Sequence, residues 1–155
     1  KPDNSITRAE AADLMGKALK LKNLREQESP YKDELPDWAR GYIVSATEAK
    51  VFKGYTDGTF RADNFILREE VAAVFIRAFN KKLLDDSELE FEDRDKIAQW
   101  AKEYIRASVQ NGIVTGTPDN YFKPADNMTR AEVFTIVCKL LGYHKEHSGR
   151  GVRIE

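Results

Sequence analysis

Three arginines occupy equivalent places in a repeated four-residue motif. Thr-Arg-Ala-Glu occurs at residues 7–10 and 129–132, and an altered copy, Leu-Arg-Glu-Glu, occurs at residues 67–70. Each copy precedes an apolar run with helical spacing, which predicts that the arginine lies in the first turn of a helix. A cation there opposes the helix macrodipole, so its recurrence indicates an anionic partner. The three arginines are Arg8, Arg68 and Arg130.

The anionic partner of these arginines can belong to the protein or to a ligand. A neighbouring carboxylate, such as that of Glu10 or a loop aspartate, would form a structural ion pair. A bound carboxylate or phosphate would instead use the arginine fork together with free amides at the helix N-terminus. A second cation, at Lys1, Arg61 or Lys123, stands seven residues before each arginine. Each loop is therefore framed by two basic groups, and both interpretations stay open.

The threonine and glutamate of the motif have a structural explanation. In a capping box the threonine oxygen accepts the amide of the glutamate, and the glutamate reaches back to the cap amide. Thr7–Glu10 and Thr129–Glu132 fit this pattern, which stabilises a helix by about 1 kcal/mol. Leu67 has no side-chain acceptor. We therefore expect the middle helix to be capped less well, or to be capped by Asp63 or Asn64.

The motif belongs to a longer internal repeat. Trp100 lies 62 positions after Trp38, and Arg130 lies 62 positions after Arg68. The repeated residues between the tryptophan and the arginine recur in the same register. Such self-similarity is typical of repeat architectures. The chain therefore divides into four parts: the second half of a repeat (1–23), a complete repeat (31–82), another complete repeat (91–143) and a polar C-terminal tail (144–155).

Each complete repeat has the pattern of a helix, a glycine-rich loop and a second helix. Apolar spacing predicts helices near 7–21, 36–50, 67–82, 95–111 and 129–142. The second helices should meet in one core through Met15, Phe75 and Val137. Gly112 is expected to end a first helix in the left-handed conformation, whereas Lys50 stands at that place in the other repeat.

The charge and composition exclude several classes of protein. A formal net charge of −1 over 155 residues argues against a protein that holds nucleic acid through phosphate contacts. No apolar stretch reaches membrane-spanning length, which predicts no membrane insertion. The N-terminus does not resemble a signal peptide, so we expect any export signal to lie upstream. The single cysteine, Cys138, excludes an intramolecular disulfide.

The sequence also predicts neither an enzyme nor a metal or cofactor site. A calcium loop beginning at Asp57 or Asp119 would need a carboxylate at its twelfth position, which Arg68 or Arg130 occupies. No pair of carboxylates stands out from the repeat as a glycosidase would require. His144 and His147 could bind a metal, but they lie in the polar segment that we interpret as a solvated tail.

In their fixed order the repeated residues resemble the S-layer homology (SLH) repeat. The last repeat carries Phe91-x-Asp93, Trp100-Ala101, Gly112-Ile113-Val114-x-Gly116, Asp119-x-x-Phe122-x-Pro124 and Thr129-Arg130-Ala131-Glu132. The resemblance covers the chain from Lys1 to about Tyr143. It implies a mainly α fold, in which SLH helix-loop-helix units form a pseudo-threefold helical bundle with the second helices at its centre. The first half of the N-terminal repeat is missing from this sequence.

The resemblance implies a non-catalytic module that anchors a secreted protein at the bacterial cell surface or S-layer. In that family, grooves between adjacent repeats bind secondary cell-wall polysaccharide, which often carries a pyruvate ketal, and the arginine of the motif engages the ketal carboxylate. We expect Arg130 to contribute most, followed by Arg68 and Arg8. The candidate ligand-binding residues are Arg8, Arg68, Arg130, Trp38, Trp100, Asp57, Asp119, Gly54, Gly116, Tyr55 and Lys123.

Some of these residues have a second interpretation. The tryptophans could stack on sugar rings, although we favour burial in the helix core. The aspartates Asp57 and Asp119 could accept sugar hydroxyl groups or could set the turn of their loop. For the whole chain, the alternative function is a protein-interaction or assembly module, in which another chain completes the half-repeat.

Overall fold

The computed structural model describes residues 1–145 and 152–154 and is mainly helical, as predicted. The helices are α1 (Arg8–Ala18), α2 (Asp37–Glu48), α3 (Arg68–Ala78), α4 (Lys102–Gln110) and α5 (Arg130–Leu140). Two short 3-10 turns, Arg94–Lys96 and Gln99–Ala101, precede α4, and the extended Ile97 separates them. The predicted helix near 95–111 is therefore wrong in its first turns.

The segment predicted as a polar tail contains part of a small antiparallel sheet. Strand β1 (Tyr143–Lys145) pairs with β2 (Val152–Ile154), so that Tyr143 lies opposite Ile154. His147 lies outside the described residues. The tail from residue 144 is therefore not wholly irregular.

All five helices end in the same way. Each is followed, two positions after its last residue, by a residue with positive φ: Lys20 (55°), Lys50 (61°), Asn80 (48°), Gly112 (64°) and Gly142 (80°). The helices therefore stop up to four residues before their predicted ends. Gly112 adopts the predicted left-handed conformation. Lys50 does so as well, although a residue with a Cβ atom adopts it at a cost of about 1 kcal/mol.

The three helices that follow the motif share one core. Met15, Phe75 and Val137 are buried in the same continuous apolar cluster, so they lie in one core and not in separate cores, as the pseudo-threefold arrangement predicts. Helix α2 packs against α1, and α4 packs against α3. Within the described residues no helix packs in this way on the outer face of α5.

A closed ring of backbone hydrogen bonds joins the segments before α1, α3 and α5. The amide of Ile6 donates to the carbonyl of Met128 (2.9 Å), that of Met128 to Ile66 (3.3 Å), and that of Ile66 to Ile6 (3.0 Å). The three side chains are buried. The ring fixes the three motif helices relative to one another and so sets where their arginines lie.

The three motif helices are capped unequally, as expected. In α5 the amide of Glu132 donates to Thr129 Oγ1 (3.1 Å), and the amide of Thr129 donates to Glu132 Oε1 (3.1 Å). In α3 only the second bond has an equivalent, from the amide of Leu67 to Glu70 Oε1 (2.9 Å). Neither Asp63 nor Asn64 supplies a side-chain cap to α3, so that alternative is wrong.

The caps predict unequal effects of substitution. Thr129→Ala should lower the free energy of unfolding by about 1 kcal/mol, because the amide of Glu132 loses its acceptor. Leu67→Thr should be neutral or stabilising, since it adds the missing acceptor. Urea denaturation measures both changes. Thr135→Ala is the matched control, because Thr135 is exposed within the same helix. Alanine has the higher helix propensity, so this change should not lower the free energy of unfolding. An unchanged Thr129→Ala variant would contradict the capping account.

Candidate ligand-binding grooves

The motif arginines form a head-to-tail ring of ion pairs with the motif glutamates. Each arginine reaches the glutamate of the next repeat, and the last repeat returns to the first. The pairs are Arg8–Glu70 (2.6 Å), Arg68–Glu132 (3.6 Å) and Arg130–Glu10 (2.6 Å). The interpretation that names a neighbouring carboxylate, such as Glu10, is therefore confirmed. Each glutamate also lies in the first turn of its own helix, where its charge is favourable.

Arg8 is the most completely enclosed of the three arginines. Only 3% of its surface is exposed, and Nε donates to the carbonyl of Phe60 (2.8 Å) and Nη2 to that of Lys53 (3.0 Å). The guanidinium lies 4.6 Å from the ring centre of Tyr55. Each of its three nitrogens therefore already has a protein acceptor, so Arg8 holds the loop of the second repeat in place.

Arg68 and Arg130 are progressively more open. Arg68 repeats the arrangement of Arg8, since Nε donates to the carbonyl of Phe122 (2.8 Å) and Nη2 to that of Thr115 (2.7 Å). Arg130 has only Glu10 as a hydrogen-bond acceptor within the described residues, and 39% of its side chain is exposed. The three arginines therefore share a motif position but not an environment.

The first amides of the motif helices are occupied. The amides of the three arginines and those of the residues after them donate to carbonyls of a neighbouring repeat at 2.8–3.1 Å. The acceptors are Asn64 and Ala62 for α1, Asp126 and Pro124 for α3, and Asn4 and Pro2 for α5. The first two amides of each motif helix are therefore not free for an anion, as the anion hypothesis required them to be.

A groove of about 580 Å³, here called the Arg8 groove, is built from all three repeats. The first repeat contributes Arg8, the second contributes residues 52–56 and one face of α3, and the third contributes Trp100 and Tyr104. The indole of Trp100 stands at the groove with its residue 51% exposed. Its lining carries the cations Arg8, Lys53 and Arg77 against the single carboxylate of Glu70. The Arg8 groove therefore has an excess of positive charge.

One carboxylate, that of Glu70, links two other residues that line the Arg8 groove. Glu70 Oε2 accepts from Arg8 Nη1 (2.6 Å) and from the Tyr55 hydroxyl (2.8 Å). Burial raises the pKa of the Tyr55 phenol to about 12. The phenol therefore stays protonated and continues to donate at physiological pH.

A second groove, here called the Arg130 groove, has a different character. It encloses about 750 Å³ between α1 and α5 beside Trp38. Two carboxylates, of Glu10 and Asp13, line it against the single cation of Arg130. No loop residue corresponding to 52–56 of the Arg8 groove takes part in it. The Arg130 groove therefore does not favour an anion by charge.

The third groove, here called the Arg68 groove, encloses about 470 Å³ between residues 113–117 and α5. Its charged lining residues are Arg68 and Glu132, which pair with each other. No tryptophan is part of the lining. The three grooves are thus related by the pseudo-threefold arrangement but contain different parts.

Both tryptophans lie at grooves and not in the core. Trp38 is 59% exposed at the Arg130 groove, and Trp100 lines the Arg8 groove. The favoured interpretation, burial as helix core, is therefore wrong. Trp38 lies in the first turn of α2 and Trp100 in the 3-10 turn before α4, and in each case the next residue, Ala39 or Ala101, is the buried one.

The loop glycines owe their identity to close packing. Gly54 belongs to the Arg8 groove and Gly116 to the Arg68 groove. A Cβ atom on Gly54 would lie 2.3 Å from Cε1 of Tyr31, and one on Gly116 would lie 2.3 Å from Cε1 of Phe91. In both repeats the glycine therefore leaves space for the aromatic residue that packs against it.

The remaining loop candidates line none of these three grooves. Asp57 Oδ1 accepts from the amide (3.0 Å) and the hydroxyl (2.7 Å) of Thr59, and these bonds, with one from Arg61, lower the pKa of its carboxyl to about 2. Asp119 accepts from the Thr117 hydroxyl. Both aspartates thus have the turn-setting role. The Lys123 amide donates to Asp93 Oδ2 (2.8 Å).

Several residues of the Arg8 groove are not among the candidates expected from the sequence. Glu70, Val74 and Arg77 line it from one face of α3, at the spacing that places side chains on one side of a helix. That spacing was available as a signal, but it does not show which face of a helix borders a groove. Tyr104 recurs in the other complete repeat as Tyr42, each followed by an isoleucine, and this recurrence does not distinguish a groove residue from a packing residue.

Two further features of the described residues bear on the site. None of the helices in this part of the chain has the length and apolar character of a membrane span. Within the same residues, no three histidine, cysteine, aspartate or glutamate side chains come together as metal ligands would.

Comparison with known proteins finds one matching family model and relatives with the names of surface proteins and enzymes. The sequence model of the S-layer homology domain matches residues 30–72 and 90–134. Two proteins of Acetivibrio thermocellus are each 36% identical over 91% of this chain: a cellulosome-anchoring protein and cell surface glycoprotein 1. An endoglucanase of Bacillus sp. (strain KSM-635) is 30% identical over 90%. The chain spans 33%, 7% and 15% of these relatives.

The unequal arginine environments predict unequal losses of stability. Arg8→Gln should lower the free energy of unfolding by roughly 3 kcal/mol or more, because it leaves the largely buried carboxylate of Glu70 and two carbonyls without their cation. Arg130→Gln should lower it by less than about 1 kcal/mol, because that ion pair is partly exposed. Urea denaturation of both variants measures the difference. Equal losses would contradict the structural role assigned to Arg8.

Proposed function

Since the chain belongs to the S-layer homology family, as the resemblance of its repeats indicated, we propose that it is a non-catalytic module that anchors its parent protein at the bacterial cell surface. Two of its relatives carry names of that kind, a cellulosome-anchoring protein and a cell surface glycoprotein. The endoglucanase relative has an enzyme's name, but this chain spans only 15% of it. The ligand is a secondary cell-wall polysaccharide that carries acidic groups.

The composition of the Arg8 groove supports this ligand. Trp100 is half exposed, and polar groups of Tyr55 and Glu70 line the same groove. Binding clefts typically combine aromatic surface with a few fixed polar groups that orient the ligand. Sugar rings have apolar faces and polar edges, so they fit such a lining. The excess of cations over carboxylates in this groove would attract an acidic substituent, such as a pyruvate ketal.

This proposal reverses the order of the arginines expected from the sequence. Arg130 was ranked first, but two carboxylates line its groove and one of them, of Glu10, already pairs with it. Arg8 was ranked last, but it lies in the groove that contains an arginine, a loop and a tryptophan together. Because each nitrogen of Arg8 already has an acceptor, we infer that it shapes the groove and that neighbouring groups make most ligand contacts.

Assembly with another chain is the second candidate function, and the outer face of α5 favours it. Phe134 of α5, which also lines the Arg130 groove, is 57% exposed, whereas the equivalent residues of the other motif helices, Ala12 and Ala72, are fully buried. Helices α2 and α4 pack against those two helices. A helix from a second chain could cover Phe134 in the same way. Sedimentation velocity tests this, since a species that stays monomeric at all concentrations would contradict it.

The tryptophans give a matched test of the polysaccharide proposal. Trp100→Ala should weaken binding to purified bacterial cell walls by at least about tenfold, or ~1.4 kcal/mol, because the aromatic face of the Arg8 groove is lost. Trp38→Ala is the control, since it removes an equally exposed indole from the groove without the positive charge. Co-sedimentation with walls measures both variants.

Two outcomes of this experiment would contradict the proposal. Equal losses for the two variants would remove the preference for the Arg8 groove. Unchanged binding of the wild-type chain to walls from which the secondary polymer has been extracted with acid would remove the polysaccharide as the ligand. Thermal unfolding of both variants should match that of the wild type, because both indoles are half exposed.

A further inference from the structure

Arg77 is a cation of the Arg8 groove that belongs to no repeated motif. It lies on α3, on the same face as Glu70, and lines the groove beside Trp100 and Tyr104. Its guanidinium carbon lies 4.9 Å from the ring centre of Tyr104, and Nη1 donates to the carbonyl of Val51 (3.0 Å). The stacked ring and the carbonyl together fix the plane of the guanidinium. Arg77 is therefore held in one orientation before any ligand arrives.

No protein carboxylate neutralises Arg77 within the described residues. The ion pairs of this part of the chain involve Arg8, Arg68 and Arg130 at the grooves, but not Arg77. Its Nε is buried and has no hydrogen-bond acceptor, so a ligand in the groove would meet the Nη nitrogens. A half-buried cation without a counter-charge is unfavourable, and an anion that binds beside it relieves that cost. The groove thus contains a positioned guanidinium whose charge is available to a ligand.

The equivalent positions in the other repeats carry a different cation. Lys17 in α1 pairs with Asp13 (2.7 Å), and Lys139 in α5 donates to the carbonyl of Gly112 (2.6 Å). A lysine presents a point charge, whereas an arginine presents a planar fork that matches an oxyanion with two parallel hydrogen bonds. Of the three equivalent positions, only that of the Arg8 groove therefore carries a fork.

We propose, on the basis of the function proposed above, that Arg77 recognises the acidic group of the wall polymer in the Arg8 groove. The group is a carboxylate carried by a sugar residue, and Trp100 and Tyr104 contact the sugar beside it. The motif arginine Arg8 keeps the groove in shape through Glu70 and the carbonyls of the loop. Recognition of charge and construction of the groove are thus assigned to different arginines.

Arg77→Gln is the variant that tests this assignment. Glutamine removes the charge and the fork but retains an amide that can reach the carbonyl of Val51. Arg61→Gln is the matched control, because Arg61 also stacks on an aromatic ring, that of Tyr55 at 3.9 Å, but it pairs with Asp57 and does not line the groove. Isothermal titration calorimetry is carried out with acid-extracted wall polysaccharide and with the same polysaccharide after chemical reduction of its carboxyl groups.

The expected results differ between the two polymers. Arg77→Gln should bind the native polysaccharide about tenfold or more weakly than the wild type, and should bind the reduced polysaccharide as the wild type does. Arg61→Gln should match the wild type with both. Arg77→Lys should fall between the wild type and Arg77→Gln with the native polymer, since it keeps the charge without the fork. If Arg77→Gln does not fold, Arg77→Lys carries the test through the same comparison.

Three results would overturn the inference, and they are distinguishable. If Arg77→Gln, or Arg77→Lys in its place, prefers the native polymer as strongly as the wild type does, Arg77 is not the recognising residue, while the proposed function stands. If the wild type binds both polymers equally, no carboxylate is recognised, although polysaccharide binding stands. If the wild type binds neither polymer, the proposed function fails and the inference fails with it.

Discussion

The start of each motif helix is held by a neighbouring repeat, and the rest of the structure depends on this constraint. The first two amides of α1, α3 and α5 donate to carbonyls of an adjacent segment, and the arginine side chain reaches the glutamate of the next repeat. The ring of backbone hydrogen bonds through Ile6, Ile66 and Met128 joins the segments that precede the same three helices. None of these bonds can form within one repeat. The repeats must therefore assemble together, and the grooves are the spaces left between them.

One symmetric constraint nevertheless produces three unequal grooves. The Arg8 groove has an arginine, a loop and a tryptophan from three different repeats, whereas each of the other two lacks one of these parts within the described residues. The charge of the lining differs as well. Arg77 and Lys53 add positive charge to the Arg8 groove, whereas Asp13 adds negative charge to the Arg130 groove. A ligand that carries negative charge therefore meets one favourable groove, although the motif is present three times.

Much of the fold could be predicted from the sequence, because helices and caps depend on nearby residues. The spacing of apolar positions gave the five helices, and Thr129 with Glu132 gave the complete cap. The ion-pair interpretation named Glu10 but could not say which arginine it pairs with, since that contact spans 120 positions of the chain. Trp38 and Trp100 were assigned to the core because periodicity shows which residues share a face and not whether a neighbour covers it. The position of Arg77 at a groove could not be predicted either, because helical periodicity does not show which face of α3 borders an open groove.

The central claim is that the motif arginine builds the groove while Arg77 meets the ligand. The most direct measurement is an NMR titration that follows the arginine Nε–H resonances as acid-extracted wall polysaccharide is added to the ¹⁵N-labelled chain. The account predicts that the Arg77 resonance moves with ligand concentration, whereas that of Arg8, whose Nε donates to the carbonyl of Phe60, stays in place. Movement of the Arg8 or Arg130 resonance with that of Arg77 unchanged would contradict it.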